Sequence, residues 1–160
     1  MDLLPATNFV LDDFKRDFVN SEDLKAACDR FWASYDPAGW SIWKLHYVLY
    51  EGEGKTGYLT CNLKNGFVRN LDHFRKYSFG VIGVYGDEGD LAIEGAMMWR
   101  GTEIPNEWKE HNSYDYFEFK KLDHTNAEDK KLLETYWINV DGYGEGPVEG
   151  RPLWEAKWFK

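Results

Sequence analysis

The chain is poor in the residues from which reactive and cross-linked proteins are built. Two cysteines, Cys28 and Cys61, stand in 160 residues, and they offer neither a disulfide framework nor the paired spacing of metal ligands. The four histidines, His46, His73, His111 and His124, are scattered, and none has a His, Cys or carboxylate at the spacing of a zinc site. No apolar run is long enough for the core of a signal peptide or for a membrane span. Positive charge is short as well. The formal net charge is -9, with nearly all of the imbalance in the second half, and a net-acidic domain repels phosphate backbones. That argues against stand-alone binding of nucleic acid or of an anionic membrane. Neither cysteine has a local activating context, the G-x-S-x-G elbow is missing, and Asp87, Glu88 and Asp90 lack the remaining donors of a calcium loop. The reading is a chain suited to a reducing, cytosolic compartment, with no cofactor, no metal and no catalytic constellation that would make it an enzyme.

Aromatic residues are the surplus. With 8 Trp, 10 Tyr and 10 Phe, the core is expected to be ring-rich and some rings to lie near the surface, the first hint of an interaction face. The chain is organised around Ser78 to Gly101, two apolar runs joined by Asp87-Glu88-Gly89-Asp90. Acidic residues and a glycine that supplies positive φ predict a β-hairpin. Phe79, Val81 and Tyr85 on one parity and Ile82 and Val84 on the other predict a central strand covered on both faces. Gly80, Gly83 and Gly95 lie inside these strands, where glycine marks close approach of a ring or backbone, or else a groove for a ligand.

Elsewhere the pattern predicts four helices. The first is capped at Thr7 or Asn8 and buries Phe14 and Phe18. The second opens at Asn20 or Ser21 and buries Leu24, Ala27, Cys28 and Phe31. The third starts at Asn62 and lines up Leu63, Phe67, Leu71 and Phe74, and the fourth follows the capping box Thr125-Asn126-Ala127-Glu128. Further strands are expected at Trp40 to Tyr50, at Thr56 to Cys61 after a turn, and at the mixed-charge edge Tyr114 to Leu122. Gly54-Lys55-Thr56 has the ending of a phosphate-binding loop but lacks the glycine five places earlier, where Leu49 stands, so a hairpin turn is the reading. Trp154, Trp158 and Phe159 are too apolar for a free tail and are expected to dock on the body. The fold class is therefore α+β: about five antiparallel strands surrounded by about four helices, in a single domain over residues 1–160.

Several phrases in this order resemble one family, the C-terminal domain of the gamma subunit of eukaryotic translation elongation factor one. They are Asn8-Phe9-Val10-Leu11-Asp12-Asp13-Phe14-Lys15-Arg16, Phe31-Trp32, Gly39-Trp40-Ser41-Ile42-Trp43, Cys61-Asn62-Leu63, Gly66-Phe67, Arg75-Lys76, Tyr85-Gly86, Arg100-Gly101 and Lys121-Leu122-Asp123. The sequence departs from the pattern at residues 51–55, 101–113 and 139–158. The resemblance implies a compact antiparallel sheet with surrounding helices and membership of the cytosolic complex that recharges the factor delivering aminoacyl-tRNA. Nucleotide exchange belongs to other subunits there, and no catalytic residue carries over. It also implies a preceding glutathione-transferase-like half, through which most contacts to the other subunits run, so the stretch reads as excised from a longer chain.

The leading expectation is a non-catalytic interaction domain whose partners are the other subunits of that complex, with other cytosolic proteins as further candidates. Rings and arginines dominate interface energy, which points to a binding face built from Trp43, Arg69, Arg75, Trp99 and Arg100. Two alternatives stand beside it: a small-molecule or enzymatic site in a groove left by Gly80, Gly83 and Gly95, and RNA contact through Lys64, Arg69, Arg75 and Lys76.

Overall fold

The computed structural model describes residues 7–49, 52–111 and 114–160. In chain order the elements are α1 (Leu11–Val19), α2 (Leu24–Ser34), β1 (Trp40–Tyr47), α3 (Gly57–Asn70), a 3-10 turn (Asp72–Tyr77), β2 (Ser78–Asp87), β3 (Asp90–Arg100), α4 (Asn106–Lys109), a second 3-10 turn (Tyr114–Tyr116), β4 (Phe117–Leu122), α5 (Ala127–Ile138) and β5 (Leu153–Phe159). The five strands form one antiparallel sheet in the order β4-β1-β3-β2-β5. The hairpin at its centre has the expected register, Asp87 opposite Asp90, with Gly89 at φ 95° in the tip.

Strand parity divides the core in two, because successive side chains point to opposite faces. One face carries Ile42, Phe79, Val81, Tyr85, Ala96 and Met98 under α1, α2 and α5, with Phe14, Phe18, Phe31 and Trp137 filling the space. The other carries Trp43, Leu45, Ile82, Val84, Met97 and Trp99 under α3 and the two connections that bring Phe74 and Trp108 inward. Burial of β2 on both faces is thus as the sequence predicts, and Cys28 lies in the first cluster. Gly80 and Gly95 are explained by this packing. A Cβ at Gly95 would lie 2.1 Å from the carbonyl oxygen of Val81, and one at Gly80 would lie 2.5 Å from that of Ala96. At Gly83 the space is filled by Ala156 and the Tyr85 hydroxyl. The three glycines are buried and the groove they would have lined is closed.

The number of strands matches the expectation while their membership differs. Thr56 to Cys61 is no strand: α3 begins at Gly57 and runs through it. Its place in the sheet is taken by the segment containing Trp154, Trp158 and Phe159, which docks as β5 along β2. Gly57 lies so close to the Trp154 indole that a Cβ there would fall 2.0 Å from a ring carbon. The Glu88 carboxylate accepts from the Gly57 amide at 3.0 Å, capping the helix from the tip of the central hairpin. Three other caps move by a few residues. Val10, not Thr7 or Asn8, precedes α1, since the Thr7 hydroxyl donates to Asp36 at 2.5 Å and so ties the N-terminal segment to the α2–β1 turn. Asp23 caps α2 by accepting from Ala26. Asn126 caps α5, accepting from Glu128 and Asp129, while Thr125 bonds to Asp123. The expected strand end at Tyr50 lies outside the described residues.

Candidate functional site

The five residues expected to form a binding face are dispersed. Trp43 and Trp99 are core residues, their rings stacked at 5.3 Å. Each indole N–H is used internally, Trp43 donating to the Ser41 hydroxyl and Trp99 to the Glu103 carbonyl. Trp99 is wholly buried, so it offers no surface to a partner. Arg100 is half-buried, donates to the Gly39 carbonyl at 2.6 Å and lies over the Trp40 ring, so it anchors the α2–β1 turn. Arg69 and Arg75 alone of the five are exposed.

Arg75 lies at a corner where the 3-10 turn, α1 and β5 meet. Arg69 stands shortly before it in the chain, in the last turn of α3, where positive charge suits the helix C-terminus. Arg75 pairs with Asp72 at 3.0 Å, and its guanidinium lies 5.6 Å from the centre of the Phe159 ring. The Lys15 ammonium of α1 donates to the Arg75 carbonyl at 2.7 Å. Burial lowers the Lys15 amine below the usual lysine value; Asp12 pulls it up and the Arg75 charge pushes it further down. Lys76 lies over Tyr77 and Lys160 over Trp158. Lys64, grouped with these cations in the sequence reading, leaves the patch. It is buried, and its ammonium bonds to Glu155 at 2.9 Å across to β5.

A second polar centre escaped the sequence reading. Glu94 of β3 is 4% exposed on the face otherwise covered by α5. Its carboxylate accepts from the Tyr136 hydroxyl at 2.6 Å, pairs with Arg151 at 2.5 Å, and stands 3.0 Å from Nδ1 of His46, its cross-strand neighbour. Tyr136 also reaches Glu149, whose carboxylate holds Lys44 at 2.7 Å. Burial raises the Glu94 carboxyl, yet the Arg151 and Tyr136 hydrogen bonds and the Arg151 and Lys44 charges together hold it below the usual glutamate value. Tyr136 and Tyr85 are pushed the other way by burial and by the Glu94 charge, so both hydroxyls stay protonated. Glu149 and Arg151 are delivered by a tight turn in which Val148 and Arg151 exchange both backbone hydrogen bonds. Glu149 (φ 50°) and Gly150 (φ 77°) are its central residues, the left-handed pair that such a two-residue turn requires. The available signals were a lone carboxylate inside an apolar strand and a Glu-Gly pair after a loop. Neither says that the two lie together, because 55 residues of chain separate them.

Chemically, the Glu94 centre is saturated: each carboxylate oxygen already faces a donor or a cation. The thiols are equally unready, since burial pushes Cys28 up to about 12 and, with the hydrogen bond and charge of Glu155, Cys61 up to about 11. Among the described residues, no three His, Cys, Asp or Glu side chains converge to hold a metal ion. No described helix is long and apolar enough to cross a membrane. At Gly54-Lys55-Thr56 the chain does enter a helix N-terminus, contrary to the hairpin reading. The position an anion would take there is filled by the Glu88 carboxylate, and Lys55 donates to the Gly89 carbonyl.

A family model described as elongation factor 1 gamma, conserved domain, matches residues 1–103. Elongation factor 1-gamma 1 of Saccharomyces cerevisiae is 33% identical over 158 residues, which cover 96% of this chain and 38% of the relative. Probable elongation factor 1-gamma 2 of Arabidopsis thaliana is 34% identical over 163 residues, covering 100% of this chain and 38% of its own. Elongation factor 1-gamma-A of Xenopus laevis is 33% identical over 159 residues, covering 98% and 36%. The chain thus spans between 36% and 38% of the length of these relatives. With a model matching well over half of it and relatives aligned along nearly all of it, the chain belongs to the elongation factor 1-gamma family, in that family's conserved domain.

Proposed function

We propose that this chain is a non-catalytic interaction domain of the translation elongation factor one complex, working in the cytosol as a single folded unit within a larger protein. The observation that carries the reading is the match to elongation factor 1-gamma along nearly the whole chain. The chemistry of the polar groups supports it: Glu94, Tyr136, Glu149 and Lys44 are spent on one another, and both thiols are held protonated at neutral pH. The function is then one of holding proteins together through an outer surface, with Arg69 and Arg75 as its contact residues.

The test is a replacement in Saccharomyces cerevisiae elongation factor 1-gamma 1, where this chain takes the place of the segment it matches. Recovery of the complex subunits from cells carrying the replacement, compared with cells in which the segment is deleted, reads the interaction. Partner recovery restored by the replacement and reduced by the deletion is the expected result. Recovery and elongation rate unchanged by the deletion would remove the basis of the proposal.

A further inference from the structure

The exposed basic corner is out of keeping with a chain of formal net charge -9. Lys15 and Arg75 come from separate stretches and only tertiary folding brings them together; Arg69 and Lys76 flank Arg75 in the chain, and Lys160 follows Phe159, the ring under Arg75. Lys15 and Arg75 are in direct contact, the ammonium of one on the carbonyl of the other. The Arg75 charge also acts against the Lys15 ammonium, and an exposed anion laid across the two relieves that repulsion. Arg69 has no ion pair with any described residue. Asp72 pairs with Arg75, and Asp12 acts on Lys15. Three of the cations rest on ring faces, Arg75 on Phe159, Lys76 on Tyr77 and Lys160 on Trp158. Such cation–π seating fixes the long side chains in advance, so less rotamer freedom is lost when an anion arrives.

We propose that this corner is a docking surface for an acidic polypeptide segment, a stretch of Asp and Glu side chains on a partner protein. The proposal rests on the interaction reading above and gives that reading its partner chemistry. Carboxylates suit the arginines, whose planar guanidinium accepts a bidentate partner. An extended nucleic acid fits less well for two reasons. Its charge continues past the corner along a chain of formal net charge -9, and base stacking needs bare ring faces, whereas Phe159 is buried and the three rings already carry cations.

The experiment titrates the 160-residue chain with a fluorescent Asp/Glu-rich peptide and, separately, with a labelled oligouridylate of equal length, at about 50 mM and about 200 mM salt. The expected result is saturable peptide binding that weakens about tenfold at the higher salt and about tenfold in Arg69→Glu/Arg75→Glu. Lys109→Glu/Lys120→Glu, with the same change of charge at exposed positions elsewhere, should bind as the parent does. Arg69→Gln/Arg75→Gln serves if the reversed pair fails to give the parent circular dichroism spectrum, and is expected to lose several-fold. Equal loss in the two charge-reversed pairs, tighter binding of the oligouridylate, or binding that survives Arg69→Gln/Arg75→Gln each overturns the proposal. So does self-association in sedimentation that the arginine substitutions abolish, because the corner would then be satisfied by a second copy. A peptide that fails to bind while the replacement experiment still restores partner recovery refutes the acidic-segment proposal alone. Partner recovery that the deletion leaves unchanged refutes the interaction reading beneath it.

Discussion

Replacing Glu94 by Gln removes the buried charge while keeping the shape, and the structure sets the expected size of the effect. The carboxylate is nearly excluded from water and is held by Arg151, Tyr136 and His46 at 2.5, 2.6 and 3.0 Å. Breaking a buried pair by removing one partner costs about 3–5 kcal/mol. Arg151 and Lys44 are 30% and 23% exposed and recover part of this by hydration, so the lower end, about 3 kcal/mol, is the expectation. For a chain of this size that corresponds to a fall in Tm of roughly 6–12 °C, and to a fall in the urea midpoint of about 1–2 M. Glu118→Gln, on the exposed edge strand opposite His46, should stay within about 0.5 kcal/mol. The pH dependence carries the sharper check. A carboxyl whose folded pKa is below its unfolded value stabilises the protein above the unfolded value, about 4.3, and that contribution is lost as pH falls through the folded one. Because Glu94 is depressed, the gap between parent and Glu94→Gln should be full at pH 7 and shrink below about pH 4. Urea unfolding followed by tryptophan fluorescence from pH 7 to about pH 3 measures it. A Glu94→Gln protein as stable as Glu118→Gln at pH 7, or a gap that stays constant to the lowest pH, would refute the argument that this carboxylate is held ionised by Arg151, Tyr136 and Lys44.

Lys64→Ala should destabilise by about 2–3 kcal/mol, below the full figure for a buried pair because Glu155 is 26% exposed and can hydrate; Arg69→Ala, on the same helix, should fall within about 0.5 kcal/mol in the same urea titration. Gly95→Ala must displace the backbone at Val81, 2.1 Å from the new Cβ, and should cost more than about 3 kcal/mol or prevent soluble expression. Gly66→Ala, inside α3 with no atom within 4 Å of its Cβ position, should raise stability by about 0.5–1 kcal/mol. Reaction with a disulfide reagent at pH 8 should modify Cys61 slowly and Cys28 only in urea, since Cys28 is buried with its thiol pushed up to about 12; rapid labelling of both in the native protein would contradict the packing of α2.

Some of this protein was settled by local sequence alone. The hairpin from Ser78 to Arg100 follows from two apolar runs and a tip where Gly89 takes positive φ. The helix from Ala127 follows from its cap, even though the capping side chain is Asn126 rather than Thr125. The exposure of Arg69 and Arg75 was legible from the polar face of their helix and turn. Other features were decided by contacts that no local window contains. Thr56 to Cys61 has a short alternating pattern suited to a strand, and it is helical because Glu88 caps Gly57, Trp154 packs on that glycine and Lys64 pairs with Glu155, 91 residues away. β5 is a strand because β2 offers it a free edge, with Asp141 bonding the outer amide of Ala156. Whether a tryptophan serves as core or as contact surface is also a tertiary matter: Trp43 and Trp99 have interface chemistry but stack on each other beneath α3 and Trp108. Periodicity reports which way a side chain points within its own element. What covers it, and whether a charge there meets a partner or a vacancy, depends on where the other elements come to rest, which is why Glu94 and Arg151 had to be found in three dimensions.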